Sequence, residues 1–172
     1  AISVCLEFGT DYKVIYLGLK TFNNVHRRFE LVGTYKNSLL IHDYAHHPTE
    51  VAATLQGFRD TFPDKRLIVA FQPHLFSRTR DHYETFGSVF SNCDELLVCD
   101  IYPARELPIE GVTGELISKS AQERGHRDAR FVGEKENVLS TLSGTLSEKD
   151  LVVLMGAGNI TQLGRQLLEN DF

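Results

Sequence analysis

Strand-sized runs with almost no polar interruption alternate with amphipathic stripes of helical period along most of this chain. Leu67-Ile-Val-Ala-Phe71, Leu96-Leu-Val-Cys-Asp100 and Leu151-Val-Val-Leu-Met155 are the runs. Between and after them come Val51, Leu55, Phe58 and Phe62 at i, i+4, i+7 and i+11, then Tyr83, Phe86 and Phe90. Leu116, Ile117 and Ala121 follow, then Val138, Leu142 and Leu146, and last Ile160, Leu163 and Leu167. A shorter strand is predicted at Ala129-Arg-Phe-Val132. Strands alternating with helices in this way imply βαβ units with right-handed crossovers. The expected fold is α/β and Rossmann-like, with three layers and a mostly parallel sheet of about six strands. Phe29–Tyr35 and Ser38–Asp43, joined by the turn-compatible pair Lys36-Asn37, predict a hairpin that supplies one antiparallel edge strand. Pro48 suits the first turn of the helix that follows, and Pro63 closes it.

In open sheets of this type, ligands bind beyond the carboxyl ends of the strands. That rule selects three loops, 43–48, 72–81 and 156–159, which are also the segments richest in unusual polar residues.

The start of the chain does not fit the alternation. Residues 2 to about 22 predict two short apolar helices, with Asn23-Asn24 as a loop after them. Two such helices cannot make a core of their own. They read as the tail of a preceding domain, or as a lid on the one that follows. The 172 residues suit one domain with a little left over, and the first residue is Ala rather than Met, so a processed or excised piece is expected. A net charge of −5 disfavours nucleic acid as a whole-surface partner, while leaving a local basic pocket open. No apolar run approaches the roughly 18 residues of a membrane span, and the start lacks the features of a signal peptide. Three cysteines without a CxxC pair read as reduced thiols, and so as a cytoplasmic setting.

Four segments carry chemistry. Asp43-Tyr-Ala-His-His-Pro-Thr-Glu50 gathers an acid, a phenol and two imidazoles at a strand-to-helix junction. Its imidazoles suit proton transfer or hydrogen bonding to a carbonyl or phosphate, and the bland alternative is that His47 caps the helix while His46 is solvated. A zinc site is disfavoured, because these residues do not share one helical face as HExxH does, and no metal ligands are assigned. In Gln72-Pro-His-Leu-Phe-Ser-Arg-Thr-Arg-Asp81, Arg78 and Arg80 lie near a helix start, where backbone N–H groups and guanidinium forks both suit an anion. The alternative is a surface pair neutralised by Asp81 or Glu84. Gly156-Ala-Gly158 resembles the opening of a dinucleotide fingerprint, but Thr161 replaces the third glycine and no acid follows about 20 residues on. A tight turn with close backbone packing explains it as well. Arg27-Arg28-Phe29 sits at the junction of the orphan helices and the sheet, where a solvated linker charge is the ordinary reading. No GxxxxGK[ST] phosphate loop occurs.

Together, His26-Arg-Arg-Phe29, DYAHHPTE at 43–50, FQPHLFSRTR at 71–80, DIYPAR at 100–105 and MGAGNI at 155–160 resemble the Mur ligases, the ATP-dependent amino-acid ligases of peptidoglycan precursor synthesis. Within that family they are nearest the branch that joins L-alanine to UDP-N-acetylmuramate. The resemblance implies that residues 1–28 are the tail of a central ATPase domain with its hinge. Residues 29–172 would be the C-terminal Rossmann-like domain that binds the amino acid. It also implies ATP and magnesium, bound mainly by a central domain absent from this chain, and a UDP-binding N-terminal domain. The piece alone is expected to be inactive. By the same resemblance Arg28 reaches the ATP phosphates and Asp43 helps hold the nucleotide. Tyr44, His46 and Arg78 form the L-alanine pocket, with His46 the candidate catalytic residue. Leu75 stands where some relatives have a second arginine, leaving the carboxylate clamp to Arg78. Three rival readings are a tripeptide-recycling ligase of the same family, a freestanding amino-acid or nucleotide-binding module, and a Rossmann-type NAD enzyme.

Overall fold

A computed structural model describes residues 2–22, 25–142 and 146–169. The Asn23-Asn24 loop and the ends of the chain lie outside the described residues. Two short helices, α1 (Ile2–Glu7) and α2 (Tyr12–Lys20), come first. The hairpin follows as β1 (Glu30–Tyr35) and β2 (Ser38–Asp43), then α3 (Pro48–Thr61), β3 (Arg66–Phe71), α4 (Phe76–Val89) and β4 (Glu95–Cys99). The rest is α5 (Glu115–Glu123), β5 (Ala129–Gly133), α6 (Asn137–Leu142), β6 (Asp150–Met155) and α7 (Gln162–Glu169). The six strands form one sheet in the order β1-β2-β6-β3-β4-β5, with β1 antiparallel to β2 and every other pairing parallel. The expected architecture is thus the observed one. Two of the later stripes overrun their helices, Leu146 lying outside α6 and Ile160 preceding α7, while α5 holds all three residues of its stripe.

Lys36 and Asn37 both hold positive φ, 48° and 64°, the backbone that a two-residue hairpin turn requires to match strand twist. The central strands are apolar on both faces because both faces are covered. Ile41, Val69, Phe71, Val98 and Val153 pack beneath α3, α4 and α5, while Leu40, Ile68, Ala70, Val152 and Leu154 pack beneath α6 and α7. Burial of this kind contributes about 25 cal/mol per Å² of apolar surface and dominates the stability of such a core.

Register decides where the site forms. Asp43 pairs with Met155, and Met155 pairs with Phe71, so β2, β6 and β3 end in one row. The three loops singled out in the sequence therefore leave the sheet side by side. At the opposite edge, Arg66 bonds Asp150 at 2.8 Å and lies 3.8 Å from Glu95, which also pairs with Arg130. One edge of the sheet is closed by ion pairs, and the other is left to the loops.

Candidate functional site

The 43–50 segment divides its labour between two histidines. His47 is the N-cap of α3: its Nδ1 accepts the Thr49 N–H at 3.4 Å, while Glu50 accepts from the His47 N–H. His46 is not merely solvated. Its ring nitrogen Nδ1 lies 2.9 Å from the Tyr44 carbonyl and 3.1 Å from Glu50, and its side chain is 21% exposed. A carbonyl only accepts, so Nδ1 carries a hydrogen there. Burial raises the Glu50 carboxyl, but bonds from the His46 and His47 backbones and the charges of His46 and Arg28 outweigh it, holding the pKa below the usual value.

A row of rings continues from there. Tyr44 meets His46 edge-on at 5.2 Å, His46 meets His74 at 5.8 Å, and His74 stacks on Tyr102 at 5.7 Å. Arg78, in the first turn of α4, reaches back to the His74 carbonyl at 3.3 Å and its Nδ1 at 3.4 Å. Burial lowers the His74 pKa, and the Arg78 and His46 charges lower it further, which keeps that imidazole neutral. Among the described residues no carboxylate forms an ion pair with Arg78, whereas Asp81 pairs with Arg80 at 2.7 Å. The surface-pair reading therefore belongs to Arg80, and Arg78 faces the imidazole row.

The start of α4 differs from the sequence reading in one respect. Leu75, at φ 74°, gives the helix no side-chain cap. The carboxylate of Glu106 supplies one from the β4–α5 connection, accepting from Ser77 N at 2.9 Å and Ser77 Oγ at 2.5 Å. These bonds hold the Glu106 pKa below the ordinary carboxylate value, the hydroxyl contributing most. The Ser77 N–H, one of the groups expected to suit an outside anion, is thus met from within the chain.

On the other side of Tyr44 stands the Arg27-Arg28 pair. Their guanidinium carbons lie 4.6 and 5.4 Å from the Tyr44 ring centroid, within cation–π reach. Arg27 is tied down by the carbonyls of Gly156 and Gly158 at 2.7 and 3.0 Å, while Arg28 is exposed. Asp43 is buried, 3% exposed, and its oxygens accept from Phe29 N at 3.0 Å, Ala45 N at 2.8 Å and Thr54 Oγ1 at 3.4 Å. The Gly156-Ala-Gly158 turn has a packing explanation. A Cβ on Gly158 would overlap Gln72 Oε1 and lie 2.7 Å from Tyr102 Cγ, and Gln72 bridges Asn159 and the Ile160 N–H.

Tyr44, His46 and Arg78 therefore come together, with Arg28 at one end of the row and Asp43 buried beneath it. His74, Tyr102, Glu106 and Arg27 belong to the same neighbourhood and were given no role in the site from the sequence, although Arg27 and Tyr102 lie inside quoted segments. His74 sits inside the quoted FQPH string, which was its available signal. A groove of about 750 Å³ lies elsewhere, between β1, β2 and α7, lined by His26, Glu30, His42 and Arg165 among others. It shares none of these side chains. Among the described residues, no group of three His, Cys, Asp or Glu side chains is placed to hold a metal ion, and no helix is long and apolar enough to cross a membrane.

A Rossmann-like domain that pools imidazoles, phenols and guanidinium groups on adjoining loops is equipped to grip a small anionic or zwitterionic molecule. The chain belongs to the Mur ligase family: the family model described as Mur ligase, glutamate ligase domain, matches residues 27–158. The UDP-N-acetylmuramate–L-alanine ligases of Syntrophobacter fumaroxidans and Geotalea daltonii are 45% and 42% identical to it over 168 residues, 98% of this chain and 36% of each relative. The chain thus spans about a third of the length of the curated relatives it matches. Among solved structures, the UDP-N-acetylmuramate–alanine ligase MurC of Thermotoga maritima superposes with a TM-score of 0.79 at 27% identity, over 98% of this chain and 35% of that one. A murein peptide ligase from Psychrobacter arcticus shares the fold at 22% identity, with a TM-score of 0.70, 98% of this chain and 34% of that chain being covered.

Proposed function

We propose that this chain is the C-terminal, amino-acid-binding domain of an ATP-dependent ligase that joins L-alanine to UDP-N-acetylmuramate. Residues 1–28 are then the tail and hinge of the ATPase domain before it. The observation that carries this reading is the convergence of Tyr44, His46, His74 and Arg78 on one row at the carboxyl edge of the sheet. The family reaction activates the muramoyl carboxylate as an acyl phosphate at the expense of ATP, and the alanine amine then displaces phosphate. The part left to this domain is to bind alanine and present its amine as a free base.

Arg78 holds the alanine carboxylate through its guanidinium fork, next to an imidazole kept neutral so that it does not compete. His46, with Nδ1–H turned to the Tyr44 carbonyl, offers Nε2 to take a proton from the alanine ammonium. Tyr44 covers the methyl group and is itself braced by Arg27 and Arg28. Arg28 extends toward the nucleotide phosphates, and Asp43 acts on that side by fixing the Phe29 N–H beside it. Magnesium comes with the nucleotide on the preceding domain. Closure of the two domains would exclude water from the acyl phosphate.

Replacing Arg78 with Lys in the complete enzyme tests the assignment, since an ammonium cannot reproduce a two-point grip. We expect the L-alanine KM to rise at least about tenfold, the loss of a charge-assisted bond costing roughly 1.5–3 kcal/mol. The ATP KM should move much less. His46→Ala should lower kcat as well as alanine binding. An unchanged alanine KM in Arg78→Lys, or equal damage to both substrates, would reject the pocket.

A further inference from the structure

We infer that Glu106 determines the specificity of the amino-acid pocket: its carboxylate fills the anion position at the start of α4 beside Arg78, so the site accepts one carboxylate and repels a second. The inference rests on the pocket reading above. Three observations carry it. Leu75 leaves α4 without a cap of its own, so the helix start attracts negative charge. Glu106 meets that demand through both the N–H and the hydroxyl of Ser77, the residue before Arg78. Glu106 also couples to the carboxylate end of the site: its charge opposes the lowering of the His74 pKa, and the Arg78 charge helps to hold its own pKa down.

Alanine brings one carboxylate, and Arg78 is a cation with no ion-paired carboxylate among the described residues. Aspartate, held the same way, brings a second negative group into a space whose anion position is taken. Glu106 sits on Ser77, next to Arg78, so a side-chain carboxylate held in this pocket would meet its charge over a range comparable to the Debye length, about 10 Å at 0.1 M salt. Asparagine has the same shape and no charge. The pair therefore separates exclusion by charge from exclusion by size.

The test is competition against L-alanine in the complete enzyme, measuring inhibition constants for L-aspartate and L-asparagine at low and high ionic strength. In the unaltered enzyme aspartate should bind more weakly than asparagine by at least about fivefold at low salt, and the ratio should shrink as salt screens the repulsion. Glu106→Gln keeps an oxygen for Ser77 but removes the charge, and should bring the ratio close to one. A salt-independent ratio in the unaltered enzyme, which needs no variant, would overturn the inference. So would a ratio that Glu106→Gln leaves unchanged in a protein of normal melting temperature. If L-alanine supports no phosphate release at all, the pocket reading fails and takes this inference with it. If alanine is used while the ratio stays fixed, the inference alone fails.

Discussion

Protonating His42 would put a charge on a side chain that is 7% exposed and whose Nε2 has no hydrogen-bond partner. Gly164 of α7 lies against that nitrogen so closely that a Cβ there would overlap it. Burial depresses the His42 pKa, and Arg27 and His26 act the same way against the opposing pull of Glu30. A histidine with a lowered folded pKa binds fewer protons folded than unfolded. Its stabilising contribution is therefore complete above about pH 6.5 and is lost as the pH falls through that unfolded value. We expect the melting temperature to drop between pH 7.5 and 5.5, and His42→Leu to flatten the drop; His74, shifted in the same direction, leaves a remainder. A slope unchanged in His42→Leu would show that the imidazole is not responsible. Glu30, Glu50 and Glu106, all lowered, act only at more acid pH. At this scale the sequence disclosed residue types but not partnerships. Nothing local marks Glu106 as the cap of a helix that begins thirty positions earlier, and nothing in Gly156-Ala-Gly158 reports that Gln72 and Tyr102 press against it.

Helices α1 and α2 are six and nine residues long, and Ile2, Val4, Leu6, Val14, Leu17 and Leu19 on them, with Phe8 in the turn between, are exposed. Isolated helices shorter than about 12–15 residues are marginal in water without packing. We expect their amides to exchange much faster than those of β2, β6 and β3, and sedimentation to show self-association that rises with concentration. Equal protection together with a monomer at every concentration would contradict both. The central strands were legible because burial on both faces leaves an uninterrupted apolar run, and α3 because Pro48, Glu50 and the stripe from Val51 agree. That Leu146 and Ile160 lie outside α6 and α7 was not, since a stripe records the buried face and not where the hydrogen-bonded turns begin or stop.

For the molecule as a whole, the carboxyl edge of the sheet offers binding groups but no phosphate loop, so this chain by itself should neither hydrolyse ATP nor form an amide bond. Phosphate release by the purified chain above that of an Arg28→Ala control would refute this. The edge was predictable from topology alone. The row of rings along it was not, because register between β2, β6 and β3 decides which side chains become neighbours. That register has a consequence for biosynthesis. β6, the last strand in chain order, lies between β2 and β3 in the middle of the sheet. Before β6 is made, the hairpin and the β3-β4-β5 portion have no strand between them to pair with. We therefore expect a chain cut before Asp150 to lack the strand that sets loops 43–48 and 72–81 side by side, and with it the pocket proposed above.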